Sequence, residues 1–187
     1  HKTTGKYDER SNRIEWVYFD TADQPMSQKN GYNRQTAKYD EHGNRIEQAF
    51  YDTANQLVIG AYGFAIGRYV NEPDGRITQA HYGTDGNSAF NLLVGYAMKK
   101  TDSRQHGDTI DSYHGPSGEL ITGPEGYAER RRHWREGGKL SREAYFGPDG
   151  APVPGPKGYH RAELIPGDSN NVRYFDTESR ELSSLGS

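Results

Sequence analysis

Cysteine is absent from the 187 residues, so neither disulfides nor thiol chemistry operate, and no redox compartment can be read from them. No run approaches the ~20 consecutive apolar residues of a membrane-spanning helix, and no signal peptide is present, so no membrane insertion is expected of this segment. Charge of one sign is also missing. Against 23 Lys and Arg stand 26 Asp and Glu, and a net charge of −3 without a basic stripe argues against nucleic acid as the main partner. Apolar residues make up only 32% and mean hydropathy is −1.05, too polar for a thick central core. Yet 14 Tyr, 6 Phe and 2 Trp supply large apolar area at regular sites, which separates the chain from a disordered one. A thin structure ordered through aromatics is expected.

What the chain does have is a period. A glycine followed by an aromatic recurs at Gly31-Tyr32, Gly63-Phe64, Gly95-Tyr96, Gly126-Tyr127 and Gly158-Tyr159, with spacings of 32, 32, 31 and 32 residues. A fixed period of this length marks one supersecondary unit copied along an axis, each copy contacting mainly its neighbours. The residues between the glycines keep the same register. Tyr39-Asp40-Glu41-His42-Gly43-Asn44-Arg45-Ile46-Glu47 and Phe50-Tyr51-Asp52-Thr53-Ala54 repeat Tyr7-Asp8-Glu9-Arg10-Ser11-Asn12-Arg13-Ile14-Glu15 and Tyr18-Phe19-Asp20-Thr21-Ala22 without a gap. Later copies drift, and the one around Gly107 to His114 is the weakest. The units are 31–62, 63–94, 95–125 and 126–157, flanked by partial units at about 1–30 and 158–187. Natural arrays are usually closed by atypical polar repeats, so two ends cut in mid-unit are read as those of a fragment of a larger protein.

Within a unit, runs of six to eight residues rich in Tyr, Phe, Ile, Val and Thr alternate with Asp/Asn/Gly clusters such as Asp40 to Asn44, Asn71 to Gly75 and Asp52 to Gln56. No run is long enough for a helix. In Arg13 to Phe19, Ile14, Trp16 and Tyr18 point one way and Glu15, Val17 and Phe19 the other, so both faces carry aromatics. The expected fold is all-β: a solenoid or open meander of stacked antiparallel β-hairpins with a ~32-residue repeat, one aromatic row inward and another partly exposed.

The segment Tyr39-Asp40-Glu41-His42-Gly43-Asn44-Arg45-Ile46 followed by Phe50-Tyr51-Asp52 resembles the tyrosine-aspartate repeats of bacterial RHS-type proteins, which are large surface or secreted β-rich arrays. Val17-Tyr18-Phe19-Asp20 with a Gly-aromatic pair downstream also resembles the hairpin repeats of choline- and glucan-binding cell-wall modules, more weakly. Both families repeat at about 20 residues rather than 32, and the choline-binding type carries Gly-Trp pairs where this chain has Tyr or Phe. The resemblance implies a repeat protein of the bacterial surface or a secreted one, and no specific ligand.

Catalytic chemistry is not evident. His1, His42, His81, His106, His114, His133 and His160 show no metal-ligand spacing, so no metal site and no cofactor are expected. Asp8, Asp20, Asp40, Asp52 and Asp176 recur at equivalent turn positions, where Asp caps its own backbone, whereas a catalytic pair should break the repeat. No nucleophile elbow, phosphate loop or dinucleotide fingerprint appears. The cluster Arg130-Arg131-Arg132 is expected to be a solvated strand face. The Gly-aromatic column is expected to be the spine of the core. Trp16 and Trp134 stand in other columns and are the better candidates for ligand contact. The chain departs most from its repeat between Ser88 and His114, where Ala89 to Val94 form an apolar run that is either a contact patch or a local core adjustment. The expected function is a non-catalytic module that binds a glycan, a cell-wall polymer or another protein. The alternative is a passive spacer beside a catalytic or membrane domain.

Overall fold

The computed structural model describes residues 2–72, 76–103, 107–135, 137–165 and 171–183. It contains twelve strands: β1 (Lys2–Tyr7), β2 (Arg13–Phe19), β3 (Arg34–Tyr39), β4 (Arg45–Tyr51), β5 (Ile66–Asn71), β6 (Ile77–Tyr82), β7 (Met98–Ser103), β8 (Asp108–His114), β9 (Glu129–Arg135), β10 (Lys139–Phe146), β11 (Arg161–Leu164) and β12 (Val172–Phe175). They follow one another in sequence order as an open antiparallel meander, and no helix occurs among the described residues. Contacts divide the chain into a first unit, His1–Val70 with Thr78–Met98, and a second, Asn71–Ile77 with Lys99–Ser187.

Two kinds of turn make the meander. In the first, Asp40 Oδ1 accepts the backbone N–H of His42 and Asn44 at 2.9 and 2.8 Å, and the Asn44 amide donates to Oδ2 at 3.0 Å. Asp8 does the same with Arg10 and Asn12. In the second, Asp20, Asp52 and Asp176 cap the turns that leave β2, β4 and β12. The aspartates picked out in the sequence thus spend their oxygens on backbone amides. The fourth turn residue adopts a left-handed φ, +81° at Gly43 and +63° at Asn55, and the short polar Asn side chain tolerates it.

After the second turn the chain doubles back across the end of its own strand. Val58 donates its backbone N–H to Phe50 O at 3.0 Å, and Ile121 and Val153 do likewise to Tyr113 O and Tyr145 O. A tight turn closed by Gly31, Gly63, Gly126 or Gly158, all with φ between +82° and +87°, then delivers the next aromatic onto the same face. The result is a ladder of rings under the returning loops. In the first unit Tyr18, Tyr32, Phe50, Phe64, His81 and Tyr96 follow one another at centroid separations of 4.6 to 6.0 Å. In the second, Tyr113, Tyr127, Tyr145, Tyr159 and Tyr174 do so at 4.9 to 5.8 Å. The five residues of the Gly-aromatic column are all buried. They alternate with a second column from the strands, into which His81 fits as a buried ring.

Ladder residues are the bulk of the core, which explains how 32% apolar content suffices: the rings pack on one another along the ladder, mostly at tilted angles, instead of in a separate layer. Among the described residues no loop covers the opposite face, and its side chains shield one another.

Candidate functional site

The uncovered face is built from charged rows laid over small residues. In the first unit Ala49 is buried, and its cross-strand neighbours are Thr36 and Ile66. Beside it the Arg34 guanidinium lies 3.8 Å from the centroid of Tyr51, its direct cross-strand partner. Glu15 binds Lys6 at 2.7 Å and Arg34 at 3.2 Å, while Glu47 binds Lys38 at 2.8 Å and Arg68 at 3.0 Å. For Glu15 the Lys6 bond leads and Arg34 adds to it, outweighing burial and holding the carboxyl below its ordinary value. For Glu47 burial acts upward, and the bonds from Lys38 and Arg68 overcome it in the same direction.

The second unit repeats the plan with different charges. Arg131 lies 4.1 Å over Phe146 and Arg161 lies 4.3 Å over Phe175. Glu129 binds Arg131 at 2.6 Å, and His133 binds Asp108 at 2.6 Å. Glu163 Oε1 is shared, 3.3 Å from Arg142 Nε and 3.2 Å from Arg161 Nε. A concavity of about 530 Å³ opens over β8, β9 and β10, with Ile110 and Ala144 on its floor and Arg131, His133, Arg142 and Phe146 around it.

The sequence residues fall as follows. Trp16 lies on the ladder face, two residues from Tyr18 and half-buried, with the Arg13 guanidinium 5.1 Å from its ring. Trp134 is half-buried in the second unit, its indole N–H donating to Thr109 at 3.1 Å and its ring 5.4 Å from the Arg132 guanidinium. Both are tied to neighbours rather than free. In the Ala89 to Val94 run, Ala89 packs on the ladder, Asn91 bonds His81, and Leu92 and Leu93 are exposed. The run therefore combines a core adjustment with an apolar surface. His1, His106, Asp74, Gly75 and Asn170 lie outside the described residues.

One expectation is overturned. Arg130-Arg131-Arg132 is not a solvated face, because strand alternation sends Arg130 and Arg132 to the ladder side. There Asp111, 4% exposed at its side chain, accepts Arg130 Nη2 at 2.7 Å, Arg132 Nη2 at 2.8 Å and the Thr101 hydroxyl at 2.7 Å. Burial pushes the Asp111 carboxyl up, but these donors outweigh it and keep it below its ordinary value. A second buried acid, Glu143, accepts the hydroxyls of Tyr145 and Tyr159 at 2.7 and 2.8 Å. Burial, then the Glu143 carboxylate, pushes the Tyr145 phenol up to about 12.

The arginine-over-aromatic pairs were not singled out from the sequence. Their signal was available: Arg34 and Tyr51 lie on facing strands at matching alternation, but the pairing becomes visible only once the hairpin register is known. Compared with known proteins, the chain matches no family model and no curated protein.

Proposed function

We propose that the chain is a non-catalytic binding module built of ~32-residue units, recognising a glycan or cell-wall polymer, or a protein, through the face opposite the ring ladder. The observation that carries this reading is a pairing found within each unit: Tyr51 and Tyr82 in the first and Phe146 in the second are each half-buried with an arginine guanidinium 3.8 to 5.0 Å from the ring. Planar cations beside aromatic rings suit sugar rings and their hydroxyls, which stack on aromatics and take donors in a fork. Trp16 and Trp134, both on the ladder side, are not part of this face. In keeping with the tyrosine-aspartate resemblance, our reading puts the protein at the bacterial surface or outside the cell.

The test is a pull-down of the intact chain on insoluble peptidoglycan and on glucan, galactan and uronan resins. Retention reduced by Arg34→Ala but not by Trp134→Ala on the ladder side, with unchanged thermal melts, is the expected result. Retention on none of these resins, with a normal melt, would assign the chain to the spacer alternative.

A further inference from the structure

We propose that the concavity over Ala144 is a site for an acidic glycan, an oxyanion on a sugar chain carried as carboxylate or sulfate. This rests on the binding reading above and specifies its ligand. Ala144 is buried and forms a floor with arginines on three sides: Arg131 and Arg161 are its direct cross-strand partners on β9 and β11, and Arg142 precedes it by two residues on β10. Phe146 closes the fourth side. Facing side chains on adjacent strands have Cβ atoms about 5 Å apart; of the three, Arg131 and Arg142 line the concavity, and the Arg161 guanidinium lies 4.3 Å over Phe175 beyond its lining.

The three arginines meet Glu129 and Glu163, while a third carboxylate, Asp108, which also lines the concavity, is held by His133. Glu129 is committed to Arg131, and the single Oε1 of Glu163 serves both Arg142 and Arg161 through their Nε atoms. The Nη groups of Arg142 and Arg161 have no hydrogen-bond partner among the described residues, and the shielded Nε of Arg161 is too poorly aligned on Glu163 for a hydrogen bond. Guanidinium forks whose Nη donors are unmatched are complementary to a planar or tetrahedral oxyanion.

The same positions three periods earlier show that the fold does not require this. Ala49 is the equivalent floor, and around it stand Thr36, Ile66, Glu47 and Tyr51 in place of Arg131, Arg161, Arg142 and Phe146. Two neutral residues and one acid have become three arginines. A local departure on a repeated frame marks function better than the frame does. A sugar chain is favoured over an acidic peptide because the floor lies in mid-sheet. The backbone groups of Arg142 to Ala144 are paired on both sides, leaving no edge for a peptide strand to extend.

The experiment is calorimetric titration of the intact chain with oligogalacturonate, its methyl ester, a sulfated galactan and poly-glutamate. Oligogalacturonate should bind at least tenfold more tightly than its ester, and Arg142→Glu and the milder Arg142→Gln should each cost at least tenfold while leaving the thermal melt near the parent value. Tighter binding of sulfated galactan, equally sensitive to Arg142, would assign the oxyanion as sulfate and support the site. Equal affinity for acid and ester would overturn the inference while leaving the binding reading intact. Affinity unchanged by both Arg142 variants, tighter binding of poly-glutamate than of either acidic glycan, or no binding to any probe would each overturn it. Retention on a neutral resin in the pull-down decides the broader reading separately.

Discussion

Gly155 lies flat against the ring of Tyr145, and a Cβ at that position would overlap the ring. The same contact joins Gly123 to Tyr113, so the returning loop of each of these copies presents a bare backbone to the ladder. Gly155→Ala should destabilise the chain by about 1–3 kcal/mol and alter the near-ultraviolet dichroism of the tyrosines. Gly150→Ala is the contrast: φ is +77° with open space around it, so it should cost about 1–2 kcal/mol through the backbone alone and leave the tyrosine signal unchanged.

His81 is fully buried, its Nδ1 3.1 Å from Ala97 O and its Nε2 3.0 Å from the Asn91 amide. These partners fit a neutral ring that donates from Nδ1 and accepts at Nε2. Burial lowers its pKa, against a smaller opposing effect of the Ala97 carbonyl. A depressed folded pKa means that the unfolded chain binds the proton first. The contribution is complete above the ordinary imidazole value of ~6.5 and is lost as pH falls below it, with a slope of about 1.4 kcal/mol per unit. Urea melts from pH 7 downward should show this slope in the parent. It should be absent from His81→Phe, which places a ring of the Phe50 type in the same column.

Asp111 neutralises two arginines in a place with little water. Asp111→Ala should cost about 3–5 kcal/mol, because Arg130 and Arg132 are left without their carboxylate. Replacing Arg132 with Met in that background should restore part of the loss, as a double-mutant cycle would read. Equal losses in single and double variants would show that the network acts only through packing.

Ring position decides how much an aromatic matters. Tyr127 is 1% exposed and stacks on Tyr113 and Tyr145, so Tyr127→Ala should cost on the order of 3–5 kcal/mol. Trp16 is half-buried beside Arg13, and its replacement by Ala should cost clearly less in a chemical melt.

Removal of 31–62 joins Asn30 directly to Gly63 and keeps the order loop, glycine turn, ring. If the ~32-residue unit is the module of assembly, this deletion should leave a cooperatively folded protein with strand-type dichroism. Removing 37–67 instead joins Thr36 to Arg68, two residues of the same sheet face, so every later side chain of the hybrid strand is turned to the wrong side and the cooperative transition should be abolished.

The sequence by itself determined the local chemistry. Asp8, Asp20, Asp40, Asp52 and Asp176 at the heads of their turns, a left-handed residue three places on and period-2 alternation in Arg13 to Phe19 are all satisfied within a few residues. Strand, turn and the all-β class followed from them without knowledge of the rest. Even the burial of Tyr32 or Tyr159 could be anticipated, since a glycine with positive φ turns the next side chain inward. What only the tertiary structure decided is which residues meet across strands. Arg130 and Arg131 are adjacent in the chain, yet one clamps buried Asp111 and the other lies over Phe146 on the opposite face. His81 counts as a ring because Phe64 and Tyr96 flank it. The physical reason is that hairpin register sets these neighbours, and register depends on how all the loops close over the ladder at once, which no single run of residues encodes.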